Sequence, residues 1–170
     1  MREYLPYIII IIVVLLIKMF IVTPIRVNGP SMLDTLEDKD IMILDEISFK
    51  FKGLKRFDIV VVNYKNEKII KRVIGLPGET VEYRDNKLYI NGKVVEEDFS
   101  HEVTADVDPV KIPKNCYYVM GDNRVNSTDS RIIVPVSIKD IRGTTKLTVF
   151  PFKRFGNKNQ VAFNSYFFLL

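Results

Sequence analysis

The sequence has no tryptophan, one cysteine and one histidine among 170 residues, and each shortage excludes a kind of site. Cys116 alone cannot form an intrachain disulfide or a thiolate metal cluster, and its strand-like surroundings favour a buried, inert thiol. A metal site would depend on carboxylates, so we expect no metal and no cofactor. The single histidine, His101, lies in an irregular polar stretch with no shaped turn for a serine nearby. This context disfavours a Ser-His-Asp triad.

Positive charge is present but is not concentrated in one tract. The formal net charge of +4 is spread along the chain, and without tryptophan there is no platform of interleaved aromatic and arginine side chains. We therefore expect no nucleic-acid partner. The length suits one domain with its own core plus an anchor.

The longest apolar segment runs from Leu5 to Val22, with Lys18 as its only polar residue. As a helix it would span roughly 27 Å of a hydrocarbon core about 30 Å thick, with Lys18 reaching toward the interface. A cleavable leader would need small residues one and three positions before the cut, and instead bulky residues are followed by Pro24. Residues 1–22 are predicted to form a retained membrane anchor, and a buried soluble helix is the alternative.

The remainder of the chain alternates between apolar and polar residues with the period of β-strands. Short β-branched runs, each bounded by charges or glycine, occupy residues 40–45, 57–64, 67–74, 117–120 and 143–150. A two-residue turn at Asp85-Asn86 predicts a hairpin of residues 80–84 and 87–90, and Asn91-Gly92 offers a second turn before residues 93–95. The pattern predicts a mainly β domain over residues 23–155, closed or folded over to protect its edges, with residues 94–113 as an irregular surface excursion.

Aromatic residues crowd the end of the chain. Six of the eleven phenylalanines fall in the last 21 residues. Contact with the membrane interface would explain them, and so would a last strand followed by a packed segment. Residues 156–170 are therefore an aromatic tail to which we assign no role.

Ser31 and Lys71 are candidates for a nucleophile and its base, because a serine without a suitable histidine needs another base and a neutral amine can serve. With a pKa of about 10.4 only about one lysine in 2,500 is neutral at pH 7, and with a pKa near 8 about one in eleven. Strand alternation gives Lys71 aliphatic neighbours, whose burial would lower its pKa. Gly29 lets the chain turn tightly before Ser31, so that the Ser31 amide could stabilise an oxyanion. An ordinary loop serine and a solvated lysine on an edge strand are the alternatives.

Four runs occur in an order and spacing that resemble the conserved boxes of the type I signal peptidases. They are residues 27–32, 57–61, 71–79 and 121–131, and the resemblance to the short, single-anchor bacterial form extends from the anchor to about Phe155. It implies a coiled, barrel-like β-sheet domain. It also implies a membrane-bound serine endopeptidase that removes N-terminal signal peptides from exported preproteins after small residues, on the extracytoplasmic face of the bacterial cytoplasmic membrane. The implied partners are signal peptides and membrane lipid.

The resemblance also assigns roles to residues. Ser31 would be the nucleophile, Lys71 the general base, and Ser127 the hydroxyl that orients the Lys71 amine. Two ion pairs would support them, Asp122 with Arg72 and Asp129 with Arg131. Met32 and Ile70 match positions that line shallow pockets for small side chains.

The chain departs from the family pattern at three places. Asp34 stands where proline is common, Gly29 lacks the hydroxyl that serves some members as a second oxyanion donor, and residues 133–135 replace a glycine. Two other functions are compatible with parts of the pattern: a self-cleaving protein of the same β-fold, and a catalytically silent assembly factor at the membrane. The anchor and the absence of a DNA-binding domain disfavour the first, and retention of both Ser31 and Lys71 disfavours the second.

Overall fold

The structure, a computed structural model, describes residues 4–21, 23–100 and 102–157. His101 and the aromatic tail beyond Asn157, about which the sequence led to predictions, lie outside these ranges. Within them the chain is mainly β, as predicted. The strands are β1 Thr23–Arg26, β2 Ile41–Asp45, β3 Ile59–Tyr64, β4 Glu67–Gly75, β5 Thr80–Arg84, β6 Lys87–Ile90, β7 Lys93–Val95, β8 Val107–Lys111, β9 Cys116–Met120, β10 Val136–Ser137, β11 Ile141–Phe150 and β12 Gly156–Asn157. The helices are α1 Leu5–Ile21, α2 Ser48–Lys52 and α3 Ser130–Ile133, with 3₁₀ turns at Ile138–Asp140 and Phe152–Arg154.

The strands form two antiparallel sheets. The larger has the order β1-β2-β11-β3-β4-β9-β10, with β12 paired to β11, and the smaller has the order β7-β6-β5-β8. Both are open paths in the described residues, so the implied barrel-like closure is not found there. The end strands of the larger sheet, β1 and β10, have only four and two residues, and short edge strands limit unwanted pairing without closure.

The two predicted turns have the backbone that their residues favour. Asp85 and Asn86 have φ of 51° and 60°, and Asn91 and Gly92 have φ of 52° and 77°. Positive φ at both central residues is characteristic of the type I′ turn, which matches the twist of paired strands. The excursion at residues 94–113 is less irregular than predicted, because it contains β8. This edge strand accommodates Pro109, which breaks the alternation that sequence reasoning depends on.

Strand β4 contributes to three hydrophobic clusters and thereby positions the candidate residues. Val73 packs with Val60, Ile74 belongs to a second cluster under the smaller sheet, and Ile70 belongs to a third cluster that includes Met32. Because β4 is surrounded on both faces, even its polar residues between Ile70 and Val73 are buried.

The N-terminal helix α1 covers 17 residues of the predicted anchor. In the described part of the chain, no helix combines the length and the apolar character needed to cross a membrane. The helices after it, α2 and α3, have five and four residues. At the other end, the pairing of β12 with β11 carries the larger sheet two residues beyond the predicted domain end at 155.

Candidate active site

Ser31 lies in a loop of residues 28–40, here called the serine loop, which connects β1 to β2. Its two ends are joined by backbone hydrogen bonds between Val27 and the segment 39–40, with N···O distances of 2.8 and 2.9 Å. Gly29 has a φ of +86°, a conformation that favours glycine, and its N–H donates to Asp38 Oδ1 at 3.0 Å. Ser31 begins a turn in which the Leu33 N–H donates to the Pro30 carbonyl at 3.1 Å. The loop is thus closed at its base and internally braced.

Lys71 reaches Ser31 from the middle of β4. Its Nζ lies 2.7 Å from Ser31 Oγ in a hydrogen bond, and the residue is 3% exposed. Burial lowers the pKa of Lys71 from 10.5 to about 8, because desolvation outweighs the opposing effect of the Asp129 and Asp122 carboxylates. Arg131 adds to the lowering of this pKa. The amine is therefore half uncharged near pH 8 and can accept a proton.

The loop of residues 121–131 packs against Ser31 at Gly121. A Cβ atom at this glycine would lie 2.4 Å from the Ser31 carbonyl oxygen and 2.3 Å from Ser127 Oγ, closer than non-bonded atoms approach. The neighbouring Asn123 N–H donates to the same Ser31 carbonyl at 3.2 Å. Only glycine permits this contact between the two loops.

A buried ion pair joins the 121–131 loop to β4. Arg72 contacts Asp122 through two hydrogen bonds, Nε to Oδ1 at 2.8 Å and Nη2 to Oδ2 at 2.6 Å, and both side chains are almost fully buried. Thr35 Oγ1, from the serine loop, also donates to Asp122 Oδ2 at 2.6 Å. A bidentate pair fixes geometry more than it adds net stability when it is buried. It therefore holds three segments together around Lys71, the neighbour of Arg72 in sequence.

Asp129 is the second buried carboxylate of the 121–131 loop. Arg131 donates to it through Nε at 2.9 Å and Nη2 at 2.8 Å, and the Gly121 N–H donates to Asp129 Oδ2 at 3.0 Å. Burial opposes the charge, but these hydrogen bonds outweigh it and hold the pKa of Asp129 below its ordinary value. The ionised carboxylate also caps the N-terminus of α3.

Ser127 is the hydroxyl predicted to orient the Lys71 amine. Its Oγ is buried beside Asp129, whose pKa it helps to lower, and it makes no hydrogen bond to Lys71 Nζ. The hydroxyl also lies close to Gly121, where an added Cβ would come within 2.3 Å of it. The structure thus joins Ser31 and Lys71 by a hydrogen bond and shows none between Lys71 and the third hydroxyl.

Two adjoining clefts of about 530 and 680 Å³ open at Ser31 and Lys71, which line both. The larger lies between β1, represented by Pro24, Ile25 and Arg26, and the first half of β4. Ile70 lines its wall, whereas Met32 is buried in the cluster below and does not line either cleft. In the described ranges, no three His, Cys, Asp or Glu side chains converge to hold a metal ion.

A second polar network was missed by sequence reasoning. Arg124 donates to Glu97 Oε1 at 2.7 Å, to the Tyr83 hydroxyl at 3.0 Å and to Thr104 Oγ1 at 2.8 Å, and thereby connects the 121–131 loop to the smaller sheet. Its partners lie 20 to 41 positions away in sequence, so no local pattern indicates them. Phe99, also missed, packs against the Arg72 guanidinium with 4.1 Å from its ring centroid to Cζ.

The β-sheet fold agrees with what comparison with known proteins shows. The chain belongs to the signal peptidase family, peptidase S26, whose family model matches residues 1–150. It is 43% identical over 152 residues to signal peptidase I T of Bacillus subtilis strain 168, covering 81% of this chain and 79% of the relative. It is 41% identical over 157 residues to a signal peptidase I of Bacillus amyloliquefaciens, covering 85% of each.

A solved structure gives the same result. The signal peptidase I of Enterococcus faecalis V583 is similar with a TM-score of 0.50 and 37% sequence identity, over 54% of this chain and 96% of that one. The resemblance identified from the sequence is thereby confirmed, and the protein is a signal peptidase I enzyme, a type of serine protease that acts on the signal peptides of preproteins. The bacterial signal peptidase I family is membrane-associated.

Proposed function

We propose that the chain is a membrane-anchored endopeptidase that removes signal peptides from exported preproteins, with Ser31 as nucleophile and Lys71 as general base. The observation that carries this assignment is the 2.7 Å contact between Lys71 Nζ and Ser31 Oγ at a lysine that is almost wholly buried. A lysine with a pKa of about 8 supplies neutral amine at the pH of most bacterial surroundings, which an exposed lysine does not.

The proposed reaction has two halves. Neutral Lys71 takes the proton of Ser31 as Oγ attacks the scissile carbonyl carbon, and the Ser31 N–H stabilises the oxyanion. The resulting ammonium of Lys71 then protonates the departing amine, so that the peptide bond breaks and an acyl-enzyme remains. Lys71, neutral again, deprotonates a water molecule, whose attack on the ester frees the new carboxyl end and returns the proton to Ser31.

The substrate would lie as an extended strand in the larger cleft. Among the described strands, β9 pairs with β4 from Arg72 onward, so the segment Glu67–Lys71 keeps a free edge, and β1 ends the larger sheet. A peptide placed between two free edges gains main-chain hydrogen bonds on both sides. Ile70 in the wall and Met32 below the floor leave room for small side chains next to the cleavage point, which would give the preference for small residues.

The supporting residues have distinct roles in this proposal. The Arg72–Asp122 pair fixes the strand that carries the base, and the Asp129–Arg131 pair fixes the 121–131 loop under Ser31. Ser127 is assigned as the hydroxyl that orients the Lys71 amine in the complex with substrate. This role requires a hydrogen bond between Ser127 Oγ and Lys71 Nζ to form in that complex, and loss of activity in Ser127→Ala with unchanged stability would support it.

The anchor is proposed to be residues 1–22. Along α1, the apolar residues at positions 5 and 7–14 are 45 to 59% exposed except Tyr7 at 66%, so this helix presents hydrocarbon to its surroundings. Lipid solvates such an apolar surface favourably, and water does not. The catalytic domain would then lie on the extracytoplasmic face, where exported preproteins emerge, with lipid as the second partner and neither nucleic acid nor metal required.

The test is cleavage of a preprotein by the full chain in detergent. Ser31→Ala and Lys71→Met should each lower the rate by about 1,000-fold or more, because removal of a nucleophile or its base leaves only binding and oxyanion stabilisation. Matched controls are Ser48→Ala and Lys93→Met, which alter exposed residues outside both clefts and should retain the parental rate. Cleavage by either Ser31→Ala or Lys71→Met at the parental rate would contradict the assignment. An inactive wild type that still binds signal peptide would favour the silent assembly factor.

A further inference from the structure

Arg154 lies on the serine loop although it comes from the far end of the domain. It ends the 3₁₀ turn Phe152–Arg154, between β11 and β12, and its side chain is 14% exposed. Its Nη2 donates to the Thr35 carbonyl at 3.2 Å and lies 3.3 Å from Asp40 Oδ2, while Nη1 pairs with Glu37 Oε1. One guanidinium thus contacts three residues of the serine loop.

These contacts give the serine loop a second support besides the one from the 121–131 loop. On one side the loop is held by the 121–131 loop, through Asn123 N–H to the Ser31 carbonyl and Thr35 Oγ1 to Asp122. On the other side lies Arg154. Thr35, four residues after Ser31, is therefore held at two points: its hydroxyl donates to Asp122 and its carbonyl accepts from Arg154.

The contact of Arg154 with Asp40, at the buried end of the serine loop, gives an electrostatic reason to expect that loss of Arg154 disturbs the loop. Asp40 is 1% exposed and its carbonyl accepts the Val27 N–H that closes the loop. A cation against a buried carboxylate is costly to remove, because the remaining charge is left with weaker compensation. Replacing Arg154 by an uncharged residue should therefore loosen the closure of the loop as well as its middle.

We propose that Arg154 is a positioning residue for Ser31, a clamp that keeps the serine loop at the distance from which Lys71 can take the serine proton. The inference rests on the proposed function, because it assumes that Ser31 is the nucleophile. Arg154 lines neither cleft, so it should influence the reacting geometry and not the binding of the peptide. The planar guanidinium holds its donors in a fixed, spread geometry that suits three separated acceptors, whereas an ammonium concentrates its three donors on one nitrogen.

The experiment compares Arg154→Met and Arg154→Lys with Arg142→Met in the full chain. Arg142 is a matched control on β11, with its own ion pair to Glu46 at 3.0 Å and no contact with the serine loop among those described. The substrate is a fluorogenic peptide with alanine one and three positions before the cut. We expect Arg154→Met to lower kcat at least about tenfold with KM within about twofold, since misplacement of a reacting group by about 1 Å costs up to about 100-fold. Arg154→Lys should recover part of kcat, and Arg142→Met should resemble the wild type.

The outcomes separate positioning from stability and from the proposed function. Thermal unfolding measured by circular dichroism gives the folded fraction of each variant, and kcat is referred to folded enzyme. An unchanged kcat in Arg154→Met, or an equal fall in Arg142→Met, would overturn the inference. If Arg154→Met does not fold, Glu37→Ala, which removes one exposed arm of the clamp, decides the matter: a fall in kcat supports the clamp and an unchanged kcat overturns it. Full activity of Ser31→Ala would instead refute the proposed function.

Discussion

The burial of Lys71 should make the stability of the protein depend on pH in a defined window. Its pKa is about 8 in the folded protein and 10.5 in an exposed chain. Between these values the unfolded chain binds more protons, so stability rises with pH there and is flat below about pH 8. A pKa difference of two and a half units corresponds to about 3.4 kcal/mol, which is the cost of keeping this amine buried when it is protonated.

Replacing Lys71 by methionine removes the charge and keeps much of the volume. We expect the free energy of unfolding of Lys71→Met to exceed that of the wild type by about 3 kcal/mol at pH 7. At this pH the wild type must bury a protonated amine, whereas methionine carries no charge. At pH 10 the pH is close to the lysine pKa of 10.5 in the unfolded chain, and the folded lysine is already neutral. The stability difference between Lys71→Met and the wild type should therefore shrink to less than about 1 kcal/mol. The variant should be inactive at every pH.

The assay is urea unfolding of the full chain in non-ionic detergent at pH 7, 8, 9 and 10, followed by far-ultraviolet circular dichroism since the protein has no tryptophan. Lys68→Met, at an exposed position of the same strand, serves as the control and should follow the wild type at every pH. A stability difference between Lys71→Met and the wild type that stays constant from pH 7 to 10 would show that the lysine is not buried in the way described, and the reasoning about its neutrality would fail with it.

Three further predictions concern activity and backbone. The value of kcat/KM should rise about tenfold per pH unit below pH 8 and level off above it, because Lys71 must be neutral to act; a pH-rate profile with a midpoint near 6 would contradict this. Gly121→Ala should lower the cleavage rate at least about 100-fold, because its Cβ would displace the Ser31 carbonyl or the Ser127 hydroxyl. Val134→Gly should raise the free energy of unfolding by about 1 kcal/mol, since a β-branched residue with φ of 60° and ψ of 172° is strained and glycine is not.

The predictions for Gly121→Ala and Val134→Gly each have a control elsewhere in the chain. Gly92→Ala introduces a Cβ where φ is +77° and no atom lies within 4 Å, so it should cost some stability and leave activity per folded molecule unchanged. Val103→Gly changes an exposed valine that has no positive φ, and it should lower stability by roughly 0.5 to 1 kcal/mol because glycine gains more freedom on unfolding. Equal effects of Val103→Gly and Val134→Gly would remove the case for strain.

The features that were predictable from sequence are those that depend on neighbours in the chain. The turn at Asp85-Asn86 fixed a hairpin, since few residues adopt positive φ twice in succession. The alternation around Lys71 indicated its burial, because strand residues two positions apart share a face. These local rules account for most strand positions near the site.

The features that were not predictable depend on contacts distant in sequence. Thr35 and Arg154 carry no motif of their own, and their contacts span 87 and 119 positions. The close approach of Gly121 to both the Ser31 carbonyl and the Ser127 hydroxyl is likewise not encoded by spacing alone. Edge strand β8 was missed because Pro109 interrupts its pattern, and a proline is tolerated there only because one side of the strand has no partner to bond.

Two strand edges that border the larger cleft have no partner among the described strands, and this has a practical consequence for inhibition. An inhibitor that fills the larger cleft need not imitate the peptide bond that is cut. A rigid backbone mimic with donors and acceptors along both sides could form main-chain hydrogen bonds with both strand edges. Methylating one amide of this mimic at a time would show which strand edge contributes each hydrogen bond. Mimics chosen in this way should bind the larger cleft in preference to proteases that recognise only side chains.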